Sequence, residues 1–133
     1  MSELVNELKK EHDILVTVLN EVKEIGISSQ EGKDKLSAAK NGLLAHLKKE
    51  DEQLYPKLRV AATSNEQLQR TLDHFLREME EISSFAIEFF GKYESGGEGV
   101  EFIRDFGKLI GGLRGRIRRE ENILYPEYDK LFP

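Results

Sequence analysis

Apolar residues recur at steps of three and four along four segments of this chain, and nowhere do they alternate with the period of two that a half-buried strand requires. That spacing restricts the chain to helices with one buried stripe each. The first segment spans about residues 3–24, with Leu4, Leu8, Leu15, Leu19 and Val22 on its stripe beside His12. The second follows GISSQEG, where Ser28 and Glu31 have capping-box spacing, and turns Leu36, Ala39, Leu43, His46, Glu50 and Leu54 inward until Pro56 bends or ends it. The third begins at TSNEQ, with Ser64 and Gln67 at the same spacing, and carries Leu68, Thr71, His74 or Phe75, Glu78, Ile82, Phe85 and Phe89. After the loop YESGGEG, the fourth runs over about residues 100–128, with Phe102, Phe106 or Leu109, Leu113, Arg116, Glu120 and Leu124 inward. Four such segments with short Ser- and Gly-rich connections predict an all-α, up-down-up-down antiparallel four-helix bundle.

The bundle contains an internal repeat. AHLKKEDEQLYP returns 70 residues later as GRIRREENILYP, with agreement at Gly42/Gly112, Leu43/Leu113, Glu50/Glu120, Leu54/Leu124, Tyr55/Tyr125 and Pro56/Pro126. The second and fourth helices are therefore structural equivalents in two related helix pairs. At the first position of the motif the copies differ, His46 in one and Arg116 in the other.

With 133 residues the chain is expected to form one domain, residues 1–133, able to bury roughly two thirds of its unfolded surface. It has no cysteine, which removes disulfides, thiol nucleophiles and thiolate metal sites, so a metal here has to rest on His and carboxylate. A net charge of -5 argues against a nucleic-acid backbone as the main partner. The charged amino terminus and the lack of an apolar run of about 18 residues give neither a signal peptide nor a membrane span, so a soluble cytoplasmic protein is expected.

Polar residues on apolar stripes carry the functional information: His12, His46, Glu50, His74, Glu78 and Glu120. A buried carboxylate is costly unless it is paired, protonated or metal-bound, and several in one interior repel one another. A shared cation resolves both difficulties. His46 and Glu50, four residues apart on one helix face, can reach the same ion, and imidazole with carboxylate suits iron, manganese or zinc.

At His12, at His46-x-x-x-Glu50 with LYP, at His74, and at Glu120 with its own LYP, the sequence resembles the hemerythrin-like, or HHE cation-binding, family over nearly its whole length. Its most specific stretch, HLKKEDEQLYP, departs from the family pattern only in having Asp51 at the second acid. The resemblance implies a four-helix bundle holding non-haem iron, as a pair or a single ion, with an oxo or hydroxo bridge in the di-iron form. It implies dioxygen or another diatomic as ligand, or a role in sensing iron or redox state. Carried over by position, His12, His46 and His74 are terminal ligands, Glu50 and Glu120 bridge, and Glu78 stands where oxygen carriers have another His. Tyr55 and Tyr125 belong to the motif and read as packing residues at the bundle end.

Arg116 occupies the remaining His position, and a guanidinium has no lone pair for a metal. Either it pairs with Glu120 and Glu50 as an internal cation, or it snorkels outward. Two functions follow: a non-haem iron protein that binds or senses diatomics, iron or redox state, and a metal-free interaction protein in which Arg116 replaces a cation. A third reading, oxidation or hydrolysis through metal-activated oxygen or water, has no organic substrate identified by the sequence, and no Ser-His-Asp arrangement, phosphate-binding loop or nucleotide fingerprint is present.

Overall fold

The computed structural model describes residues 2–97 and 99–132. Among them there is no strand, and four helical rods form an all-α bundle. α1 spans Glu3–Ile25 and α2 Gln30–Lys49; a π-helical turn, Glu50–Leu54, carries α2 into α3, Tyr55–Ala62. α4 spans Glu66–Lys92 and α5 Gly99–Arg119, and a second π-helical turn, Glu120–Leu124, leads to α6, Tyr125–Leu131. No helix is long and apolar enough to cross a membrane.

The helices start one residue later than capping-box spacing suggests. Ser29, not Ser28, caps α2 by accepting from the Gly32 amide at 3.1 Å, and Asn65, not Ser64, caps α4 by accepting from the Leu68 amide at 3.1 Å. In both cases the residue immediately before the helix is the one in extended conformation, which frees its side chain to fold back on the first turn. Gly26 ends α1 at φ 76°, a left-handed conformation that a side chain would strain.

Neither Pro56 nor Pro126 ends its rod. Each sits in the first turn of the helix that follows a π turn, where its missing N–H is not needed. The amides of Tyr55 and Tyr125 reach back five residues to the carbonyls of Glu50 and Glu120. The repeat thus extends from side chains to a shared backbone irregularity beside the acids.

Two apolar clusters fill the interior. One gathers Leu15, Leu19, Leu36, Leu43, Phe89, Phe106 and Leu113; the other gathers Val5, Leu8, Leu54, Leu72, Phe75, Met79 and Leu124. Along α1, α2, α5 and the two π turns the residues lying between them are His12, His46 with Glu50, and Arg116 with Glu120, all buried. A polar layer therefore separates two hydrocarbon halves.

Close packing at the α1–α2 turn gives a contrast between two glycines. A Cβ on Gly32 would stand 1.7 Å from the Gly26 carbonyl oxygen, whereas one on Gly42 would meet nothing within 4 Å. G32A is expected to lower unfolding free energy by about 1–3 kcal/mol through overpacking. G42A is expected to raise it by about 1 kcal/mol through helix propensity. Urea denaturation of the pair checks both signs.

Candidate metal centre

α1, α2 and the two π turns bring four ligand-type side chains together. One nitrogen each from His12 and His46 and one oxygen each from Glu50 and Glu120 lie within 4.8 Å of one another. The His12 and His46 Nε2 atoms are 3.1 Å apart; Glu120 stands 3.3 Å from His12 Nε2, and Glu50 3.4 Å from His46 Nε2.

The outer nitrogens are fixed by carboxylates. His12 Nδ1 donates to Glu121 at 2.7 Å and His46 Nδ1 donates to Glu11 at 2.8 Å, since a carboxylate at neutral pH only accepts. Lys49 donates to the other Glu11 oxygen at 2.6 Å. Burial opposes ionisation of Glu11, but the hydrogen bonds from Lys49 and His46 prevail and lower its pKa. Both imidazoles are thereby oriented with Nε2 toward the common centre, as outer-shell carboxylates orient metal-binding histidines.

Two bare Nε2 lone pairs at 3.1 Å repel, so in the absence of an ion one carries a proton. His46 carries it. Burial works against its charge, yet the hydrogen bond to Glu50 and the charges of Glu50 and Glu120 raise its pKa. Burial also pushes Glu50 up, but hydrogen bonds from His46 and Glu120 and the charges of His46 and Arg116 hold its carboxyl at about 2. Glu120 goes the other way, raised by burial and then by the Glu50 charge. One carboxylate is ionised and its neighbour favours the proton.

Arg116 does not snorkel outward. It is buried, and its Nη2 donates to Glu50 at 2.9 Å and to Glu120 at 3.4 Å, the pairing that a fixed internal cation requires. Burial disfavours the guanidinium charge, and the adjacent Glu120 and Glu50 more than compensate, raising its pKa.

His74 and Glu78 are not part of the cluster. The His74 side chain is 67 % exposed and meets Glu78 at 2.7 Å, while Glu78 also pairs with Arg119. The buried residues of α4 are Leu68, Leu72, Phe75, Met79, Ala86, Phe89 and Phe90, which excludes Thr71, His74 and Glu78. Each residue turns a helix by about 100°, so choosing Phe75 over His74 moves the imidazole out of the interior. Burying a ring and a thioether, instead of an imidazole and a carboxylate, decides between the two stripes.

Tyr125 is a site residue that its motif position understates. Its hydroxyl donates to Glu50 at 2.9 Å and lies 3.2 Å from His12 Nε2, and its ring stacks on His12 at 5.6 Å between centroids. The acids beside the ligands, Glu11 in EHD and Glu121 in REEN, are the sequence signal for the outer carboxylates, although each serves the histidine of another helix.

The model of the hemerythrin HHE cation-binding domain matches residues 2–128. The chain belongs to that family. No curated protein and no solved structure matches it. Within this hemerythrin-like domain, a His/Glu cluster that could hold a metal ion is built by three of the four rods. The fourth, α4, supplies only apolar side chains to the buried stripe described above.

Proposed function

We propose that this hemerythrin-like domain binds one non-haem iron ion through His12, His46, Glu50 and Glu120, with Arg116 standing in for a second cation, and that it responds to dioxygen, another diatomic, or iron and redox state. The observation that carries the reading is the pair of Nε2 atoms 3.1 Å apart, each backed by its own carboxylate. Two nitrogens bound at about 2.1 Å to a single ion lie at about this separation. Two imidazoles and two carboxylates also form the mixed nitrogen and oxygen set that suits iron.

The charges agree with one ion. Arg116 contributes one positive charge beside Glu50 and Glu120, and any proton held on an imidazole nitrogen that faces the centre is released when an ion enters. A pair of irons is not supported: His74 and Glu78 face away, and Arg116 has no lone pair to offer. Iron in such a site supplies affinity for small ligands and a change of oxidation state. The chain's own residues orient the imidazoles, hold Glu50 in place through Tyr125, and keep hydrocarbon above and below.

Anaerobic loading with ferrous iron, followed by desalting and metal analysis by plasma emission, is expected to return one iron per chain. Two per chain would overturn the single-ion reading. None would favour the metal-free reading, in which the contact of Arg116 with Glu50 and Glu120 closes the site without an ion. Glu11→Gln, which removes the charge behind His46, is expected to weaken metal binding about 10- to 100-fold in competition with a chromophoric chelator. Unchanged affinity would show that Glu11 does not tune the ligand.

A further inference from the structure

α4 is held unevenly along the rod formed by α2 and α3. α3 packs closely on it beside the turn that joins them, whereas α2 stands off and leaves an open groove of about 600 Å³ between the two helices. The floor of the groove is apolar. Leu47 and Leu76 are half-buried there and Met79 is buried, while Leu44 on the α2 wall and Ile87 on the α4 wall remain 39 % and 59 % exposed. Apolar side chains scattered singly over a surface are ordinary, but two left open on the walls of one apolar groove mark a surface that another molecule covers.

Charge on the rim selects what covers it. Three carboxylates, Asp51, Glu52 and Glu80, stand there against one lysine, Lys48. Lys48 reaches Glu52 at 4.0 Å on the exposed surface, where such a pair contributes little, and Asp51 and Glu80 have no ion-pair partner among the described residues. Hydrocarbon edged by net negative charge favours cationic side chains and disfavours a second copy of this chain, whose own net charge is -5. Shape points to a helix. Both walls are helices whose backbone groups are already bonded internally, so an extended segment finds no edge to pair with, and side chains have to carry the recognition. From Leu76 to Ile87 the α4 wall runs about 17 Å, or about three helical turns.

We infer that the α2–α4 groove is a docking site for a basic amphipathic helix of a partner protein, which sets its apolar stripe on Leu44, Leu47 and Ile87 and its lysines or arginines against Asp51, Glu52 and Glu80. A helix lying in such a groove is read through apolar residues at i, i+3, i+4 and i+7. The groove is also the outer side of the candidate centre. Leu47 follows His46 in α2, and the π turn that buries Glu50 leaves Asp51 and Glu52 exposed, so an occupant touches the segment that carries two of the candidate ligands.

A fluorescently labelled peptide of about 16 residues, long enough to form a helix on binding, with leucine at those spacings and lysine elsewhere, tests this by anisotropy. The protein is used without added metal, so the outcome is independent of iron uptake. Saturable binding of one peptide per chain is expected, weakening as salt is raised. The same peptide with glutamate in place of lysine is expected to bind at least about tenfold more weakly. Ile87→Glu is expected to weaken the lysine peptide at least about tenfold, and Glu80→Lys, which reverses a rim charge without touching the floor, about fivefold. Ile103→Glu, a similarly open position on α5, is expected to leave binding unchanged. Equal affinity for the two peptides overturns the inference, as does equal loss in Ile87→Glu and Ile103→Glu, or the absence of saturable binding. Sedimentation of the protein alone covers the other occupant: a dimer that Ile87→Glu dissociates would place a second copy in the groove and overturn the inference.

Discussion

Arg116→Met is expected to lower the unfolding free energy at pH 7 by about 3–5 kcal/mol, the loss typical when one partner of a buried ion pair is removed and the other is left uncompensated. Methionine keeps most of the hydrocarbon stem but none of the donors that reach Glu50 at 2.9 Å and Glu120 at 3.4 Å. The pH dependence identifies the cause. In the parent protein, Glu50 held at about 2 contributes stability that is present above its ordinary 4.5 and fades as pH falls through 2. Glu120, raised, contributes the opposite way: its share is complete below 4.5 and fades as pH rises toward its folded-state pKa. Without the guanidinium both carboxyls bind protons more tightly in the folded state. Between pH 7 and 5 the folded variant then holds more protons than the unfolded chain, so its stability rises as pH falls. Urea denaturation at pH 7 and pH 5 should therefore show the gap between variant and parent narrowing at the lower pH. A variant within about 0.5 kcal/mol of the parent at both would mean that Arg116 only fills space.

The same residue shows where sequence reasoning runs out. Its position on the inner stripe was legible from the repeat, because Leu113, Glu120 and Leu124 fix the phase of α5 on either side. The choice between pairing and snorkelling was not, because it depends on the π turns that set Glu50 and Glu120 against the guanidinium. His12, His46, Glu50 and Glu120 were legible from spacing as inward-facing residues, since each lies on a segment with a single apolar stripe. α4 has two stripes one residue apart, one through His74 and Glu78 and one through Phe75 and Met79, and spacing does not rank them. What ranks them is burial energy, to which Phe75 and Met79 contribute more. Tyr125 reads from sequence as a packing residue for another reason. The five-residue backbone bond from its amide to Glu120 rotates it relative to an unbroken α-helix, and that irregularity leaves no mark in residue type.

His46→Ala is expected to abolish metal-dependent stabilisation. In the parent protein, free metal at a hundredfold excess over its dissociation constant should raise the unfolding free energy by about 2.7 kcal/mol through mass action on the folded state. His46 faces the centre beside three other ligand-type groups, so its loss leaves His12, Glu50 and Glu120, with the Arg116 charge on Glu50 no longer opposed by an ion held from the α2 side. At the same free metal concentration the variant should therefore melt where it melts in chelator. The metal-free comparison runs the other way and guards against misreading a broken fold. The substitution removes a buried imidazole whose hydrogen bond helps hold Glu50 at about 2, so the apo variant should lose stability at neutral pH, with the Glu50 carboxyl raised. His74→Ala, on the exposed face of α4, should change neither quantity. If metal shifted the melting of His46→Ala as much as that of the parent while His74→Ala lost the shift, the ion would lie on the outer face of α4 and the buried cluster would be a hydrogen-bonded core.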